Sequence, residues 1–124
     1  MEILLTEEER RIREILIEIA SKRSVITYSE LIIKAKLDLD MNAPYDRGVI
    51  GRLLGSVSAF EYEEERPMLS SVVITVSGKQ GDGFFRLAEE LGFGDWKKLK
   101  NEEVFEYEEM SRTHDYWSKK RLRI

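Results

Sequence analysis

The chain has 124 residues, of which 42% are hydrophobic and 35% charged, and a net charge of −4. That is the length of one domain, with enough apolar content for one core under a charged surface, which excludes a disordered chain. The absence of cysteine excludes a disulfide framework, a thiolate metal site and a cysteine nucleophile, and the acidic balance leaves any nucleic-acid role to a local basic patch.

Thr6 followed by Glu9 is a capping box, and it opens a first helix. Ile12, Ile15, Leu16 and Ile19 recur at spacings of three and four, so one stripe is apolar, and the helix is expected to end between Ser21 and Arg23. Ser24-Val25-Ile26-Thr27 is β-branched and reads as a short strand. Thr27 and Glu30 form a second capping box, which starts a helix from Tyr28 to about Ala35 with Leu31 and Ile32 inside. Residues 37–45 are a connection. Asp38, Asp40 and Asn42 alternate as a calcium loop does, but Ala43 stands where the sharp turn requires Gly and Val49 where the bidentate Glu belongs, so no metal is expected.

Asp46 is the expected N-cap of a third helix that buries Val49, Ile50, Leu53, Leu54 and Val57. At about 100° per residue the opposite face collects Gly48, Arg52, Gly55, Ser56 and Ala59, with Gly51 beside them. Each helical glycine costs about 0.5–1 kcal/mol relative to Ala. A bare face that admits a close neighbour, a nucleic-acid backbone or another helix, is what offsets such a cost. Glu61, Glu63, Glu64 and Glu65 read as a solvated helix end or loop, since nothing downstream completes a carboxylate metal cluster.

From Pro67 to Phe85 the sequence reads as a β-hairpin. Leu69 to Ser77 is the strand, Gly78 to Gly83 a glycine-rich turn with Lys79 near its tip, and Phe84-Phe85 the return. The turn lacks the Gly-Lys-Ser/Thr of a phosphate-binding loop. A helix presenting Leu87, Ala88 and Leu91 follows and stops at Gly92. Asp95 or Asn101 caps what comes next, and Trp96, Leu99, Val104, Phe105, Met110 and Trp117 mark C-terminal helices packing back on the domain, with a basic tail of Lys119, Lys120, Arg121 and Arg123.

No catalytic constellation is visible. The one histidine, His114, stands among Arg112, Thr113 and Asp115 without a nucleophile elbow, and no carboxylate pair sits in the apolar setting that acid catalysis requires. The expectation is a non-enzymatic protein without cofactor.

The order helix, strand, helix, helix, strand, turn, strand is that of a winged helix, in which the third helix commonly enters the major groove. Val25 to Leu31, Ile50-Gly51-Arg52-Leu53-Leu54, Pro67 and Gly81-Asp82-Gly83-Phe84 resemble the C-terminal winged-helix part of the DNA alkyltransferases and alkyltransferase-like proteins, over residues 25–85. The departures are at the chemistry. Where that family carries Pro-Cys-His-Arg this chain has Pro67-Met68-Leu69-Ser70, so Met68 replaces the alkyl-accepting cysteine, and Gly48 stands where the family's DNA-stack arginine falls, next to Arg47. Tyr28 retains the tyrosine of the second helix. The resemblance implies a scaffold and a DNA-facing helix without alkyl transfer. Arg66 to Phe85 with the aromatic C-terminal helix is also similar to an uncharacterised prokaryotic domain.

The expected fold is therefore α+β, mainly α: a winged helix-turn-helix with a small antiparallel hairpin over residues 1–93, and a C-terminal helical extension at 94–124. The expected function is double-stranded DNA binding, with Arg47, Arg52 and Ser56 facing the groove and Tyr28 and Lys79 on the backbone. The alternative is a protein-interaction module whose Gly51/Gly55 face seats a partner helix, the chain's own C-terminal helix, or a second copy in a homodimer. No apolar run reaches the roughly 20 residues of a membrane span and the acidic start, Glu2 and Thr6 to Glu9, is no signal peptide, so a cytoplasmic location is expected. The surplus of charge over Gln and Asn leans to a thermophilic source.

Overall fold

The computed structural model describes residues 4–122, so that Glu2, the side chain of Arg121 and Arg123 lie outside the described residues. Helix α1 spans Glu7–Ser21. Thr6 caps it reciprocally, its backbone N–H donating to Glu9 Oε1 at 2.8 Å while Glu9 N donates to Thr6 Oγ1 at 3.2 Å. Strand β1 is only Ile26–Thr27, and Thr27 repeats the capping box with Glu30 to open α2, Tyr28–Lys34. Helix α3 runs Pro44–Glu63. A buried 3₁₀ turn at Leu69–Val72 leads into β2, Val73–Ile74, and three helices follow: α4 Asp82–Glu90, α5 Trp96–Glu102 and α6 Phe105–Leu122. The architecture is mainly helical with one two-stranded sheet. No helix among the described residues is long and apolar enough to cross a membrane.

Helix α1 is the central post. It packs on α3, on α6 and on the 3₁₀ turn, and its fully buried Ile12, Leu16 and Ala20 meet Leu31, Leu54, Val57, Leu69, Val72 and Trp117 in the main core. A smaller core gathers Met68, Phe84, Phe85 and Ala88 under Leu91, Phe93, Trp96 and Phe105, and so joins α4 and α5 to the start of α6. Helix α4 stops as expected at Gly92 (φ 95°), with the N–H of Phe93 reaching back to Ala88 O at 3.0 Å, and Asp95 caps α5 by accepting from Lys98 N at 3.1 Å.

The expected antiparallel hairpin is not formed. β1 and β2 pair in parallel, Ile26 against Val73 and Thr27 against Ile74, with α2, α3 and the 3₁₀ turn in the connection. Phe84 and Phe85 lie in the first turns of α4 rather than in a return strand. The reason is legible afterwards: Phe84, Leu87, Ala88 and Leu91 keep a helical spacing, Gly81 is the N-cap, and Asp82 places an acid in the first turn, where the helix dipole favours it. The expected long strand from Leu69 also shortens, because its first residues curl into the 3₁₀ turn and bond to side chains instead of to a neighbouring strand. Helix α3 begins three residues earlier than expected, with Ala43 instead of Asp46 at the N-cap. Pro44, pre-set in φ, takes the first helical position, and Asp46 accepts from Asp40 N at 2.8 Å instead of capping.

Nor is Glu61 part of a solvated end. Its side chain is fully buried and clamped between two guanidinium groups, Arg13 Nε on Oε1 and Arg66 Nε on Oε2. Both arginines also lie over the Phe60 ring, at 5.3 and 5.6 Å from its centroid. Removing one member of a buried ion cluster strands the others, so Glu61→Ala is expected to cost about 3–5 kcal/mol. Urea denaturation measures it, and a loss comparable to that of an exposed Glu63→Ala control would refute the clamp.

Candidate nucleic-acid interface

Helices α2 and α3 are joined by a connection held by its own polar groups. α2 terminates with Lys36 in the left-handed region (φ 56°) and Leu37 N bonded back to Ile32 O at 3.0 Å. Asp40 Oδ1 then accepts from Asn42 N at 2.9 Å, and Arg47 Nη1 donates to Met41 O at 2.9 Å. Arg47 thus braces the loop with part of its guanidinium and stays exposed.

The outward face of α3 begins with Gly48, Gly51 and Arg52, all exposed, and continues into half-buried Gly55, Ser56 and Ala59. Arg52 lies back along the helix, with Nη1 3.8 Å from where a side chain on Gly48 would begin. It makes no hydrogen bond or ion pair among the described residues, and neither does the Ser56 side chain. Arg52 and Ser56, four residues apart, share a face, whereas Arg47 lies about 140° round the helix from Arg52 at about 100° per residue. Gly51 and Gly55 have open space where a Cβ would be. With Tyr28, Leu54, Gly83 and Phe84 they line a crevice of about 30 Å³, so that α4 flanks the small-residue face.

Tyr28 and Lys79 are otherwise engaged. Tyr28 is mostly buried, and its hydroxyl accepts from Gly81 N at 3.3 Å. Burial pushes that hydroxyl's pKa up, the Gly81 bond opposes the shift, and the charge of Asp82 adds to it. The Lys79 ammonium pairs with Glu103 on the rim of a different cavity, of about 410 Å³. The hydrogen bond and charge of Glu103 raise the pKa of Lys79, and those of Lys79 lower that of Glu103. The Glu103 contribution is complete above the ordinary carboxylate range and vanishes as pH falls through the lowered value. The Lys79 contribution is complete below the ordinary lysine value and vanishes as pH rises through the raised one. Both groups are exposed, so the effect on stability is small.

Met68, at the position the alkyltransferases give to their cysteine, is a fully buried core residue. Its N–H donates to Glu109 Oε2 at 2.9 Å and its carbonyl accepts from Thr113 Oγ1 at 3.1 Å. His114 donates from Nε2 to Ser24 O at 2.8 Å, which ties α6 to the end of α1. Sequence reasoning missed Glu61, although Leu54, Val57, Ser58 and Glu61 continue the buried spacing of α3. It also missed Gly81, where no local signal exists. No protein-family model, no curated protein and no solved structure matches this chain.

A Cβ on Gly81 would stand 2.9 Å from Tyr28 Oη. Gly81→Ala is therefore expected to cost about 1–3 kcal/mol, the usual range for overpacking. In a Tyr28→Phe background, which lacks that oxygen, most of the penalty should disappear, and a double-mutant cycle in urea measures the coupling. Additive losses would show that Gly81 is dictated by something other than Tyr28.

Proposed function

We propose that the protein binds double-stranded DNA without catalysis, through the exposed face of α3, on a helix-turn-helix of the kind found in winged-helix proteins. The observation that carries this reading is Arg52, an exposed guanidinium without an ion-pair partner among the described residues, set among glycines that let a backbone come close. From Arg47 to Phe60 the helix carries no acidic residue, in a chain with 24 acids. Lys34 and Lys36, at the end of α2, are exposed and likewise unpaired among the described residues. The engaged state of Tyr28 and Lys79 narrows the interface to Arg47, Arg52 and Ser56, with the two lysines of α2 as added phosphate contacts. The parallel with the alkyltransferase scaffold supports a DNA-facing third helix and no alkyl transfer, since Met68 offers no nucleophile.

Fluorescence anisotropy with a labelled duplex at about 50 mM and about 200 mM salt tests the proposal, because each lost phosphate contact lowers the salt slope by about one. Arg52→Ala should weaken binding at both salts and reduce the slope, while Lys79→Ala should change neither. Absence of binding at the lower salt would sink the reading.

A protein-interaction role draws on a different observation: Ile33 and Tyr45 are 76% and 75% exposed. Light scattering decides whether a second copy is the partner. A dimer that Tyr45→Ser returns to monomer would favour this role over DNA binding.

A further inference from the structure

We propose that the cavity between the ends of α3 and α4 and the side of α6 binds a small monocarboxylate with an apolar body, its carboxylate on Arg66 and Arg112. The cavity measures about 570 Å³, within the range of small-molecule sites, and Tyr62, Arg66, Leu91, Phe93, Glu109 and Arg112 are in its wall. The turn that ends α3 fixes the first guanidinium. Glu65 takes the left-handed region (φ 58°), Arg66 N bonds back to Glu61 O at 2.9 Å, and Arg66 Nε donates to Glu61 Oε2. The side chain is thereby anchored and only 18% exposed. Its two Nη groups make no hydrogen bond among the described residues, and neither is sealed from solvent, so their N–H donors are within reach of a ligand. Arg112 is exposed. Its Nη1 donates to Glu109 Oε1 at 2.6 Å, and its Nε and Nη2 make no hydrogen bond among the described residues.

Charge and shape specify the ligand. Both oxygens of buried Glu109 are bonded, to Met68 N and to Arg112 Nη1, so that carboxylate balances Arg112. Glu61 is one carboxylate between two guanidinium groups, of Arg13 and Arg66, and one positive charge is left over at the inner wall. A single carboxylate balances it and matches the planar fork of a guanidinium. Glu63 and Glu65 also line the cavity, exposed and without an ion pair among the described residues. They disfavour a dianion such as phosphate, but as surface charges they are screened by water and salt more than the inner donors are. A cation would have only those two surface carboxylates to hold it and would meet Arg66 and Arg112 inside. Tyr62 and Phe93 stand edge to face, with centroids 5.9 Å apart and planes at 74°, and with Leu91 they offer an apolar wall to a ring or short alkyl body. The site shares no residue with the α3 face proposed for DNA.

An NMR titration of the ¹⁵N-labelled chain with sodium benzoate tests the site, with benzylammonium chloride, benzyl alcohol and inorganic phosphate as controls. Saturable shifts are expected at the amides of residues 61–66, 91–93 and 109–113 with benzoate alone. Arg112→Gln removes one fork and should weaken binding about ten-fold or more. Glu63→Gln combined with Glu65→Gln removes the surface repulsion and leaves both arginines in place, so it should tighten binding about two-fold or more at low salt. Linear, unsaturable shifts, an equal response to any of the three controls, or unchanged binding in Arg112→Gln would overturn the proposal. Should Arg112→Gln fail to fold, unchanged or weaker binding in the Glu63→Gln, Glu65→Gln double variant overturns it alone.

Discussion

The constraint on which this fold depends is a turn of backbone buried where no sheet or long helix can satisfy it. Leu69 to Val72 are all inside. Every buried N–H and C=O there needs a partner, and these come from elements far apart in sequence. Ser58 on α3 accepts from Ser70 N at 3.0 Å, and the two hydroxyls meet at 2.7 Å. Glu109 on α6 accepts from Met68 N, and Thr113 on α6 bonds both Met68 O and, at 2.9 Å, the Ser71 hydroxyl. Gln80, in the turn before α4, donates to Ser71 O at 2.7 Å. The turn is thus a polar hub inside two apolar cores, and α3, α4 and α6 are fixed to it by direction-dependent bonds. Apolar contacts alone would allow these helices to slide. The hydrogen bonds set one register.

Glu61, one turn beyond Ser58 on α3, repeats the same logic. A carboxylate with no exposure sits between Arg13 of α1 and Arg66 beyond α3, with Phe60 under both guanidinium groups and Trp117 of α6 5.7 Å from Arg13. Such a cluster gives little net stability compared with an apolar equivalent, but it tolerates very few arrangements of its three chain segments. The basic residues of α1 are therefore of two kinds. Arg13 is internal wiring, while Arg11, bonded to Ala35 O at 3.2 Å, ties the surface of α1 to the end of α2.

What the sequence made legible was local and what it hid was distant. The capping boxes at Thr6 and Thr27, the cap at Asp95 and the stop at Gly92 each follow from residues within four positions of one another, and each is where it was expected. The hairpin failed because glycine is ambiguous: Gly81 and Gly83 read as a turn, while the helical spacing from Phe84 to Leu91 was outweighed by the β-branched run before it. Glu61 was hidden by its neighbours, since an acidic run suggests solvent although the period of α3 points that one residue inward. On α3, the small-residue face and the exposure of Arg52 could be read from helical period alone. The engagement of Tyr28 could not, because its partner lies 53 residues away.

That distant bond links two surfaces that otherwise share no residue. Tyr28 stands at the start of α2 and shares a crevice with Gly51 and Gly55 of α3. Gly81, its partner, is also the N-cap of α4 and part of the wall of the cavity that holds Glu106. The peptide at Gly81 cannot shift without moving both the hydroxyl under α3 and the first turn of α4. The absence of a Cβ is what allows this junction to close, with Tyr28 Oη in the space a side chain would take. The glycine is therefore not a turn signal at all. It is a contact residue whose contribution is its missing atom, and it places the outer face of α3 and the polar cavity on opposite sides of one hydrogen bond.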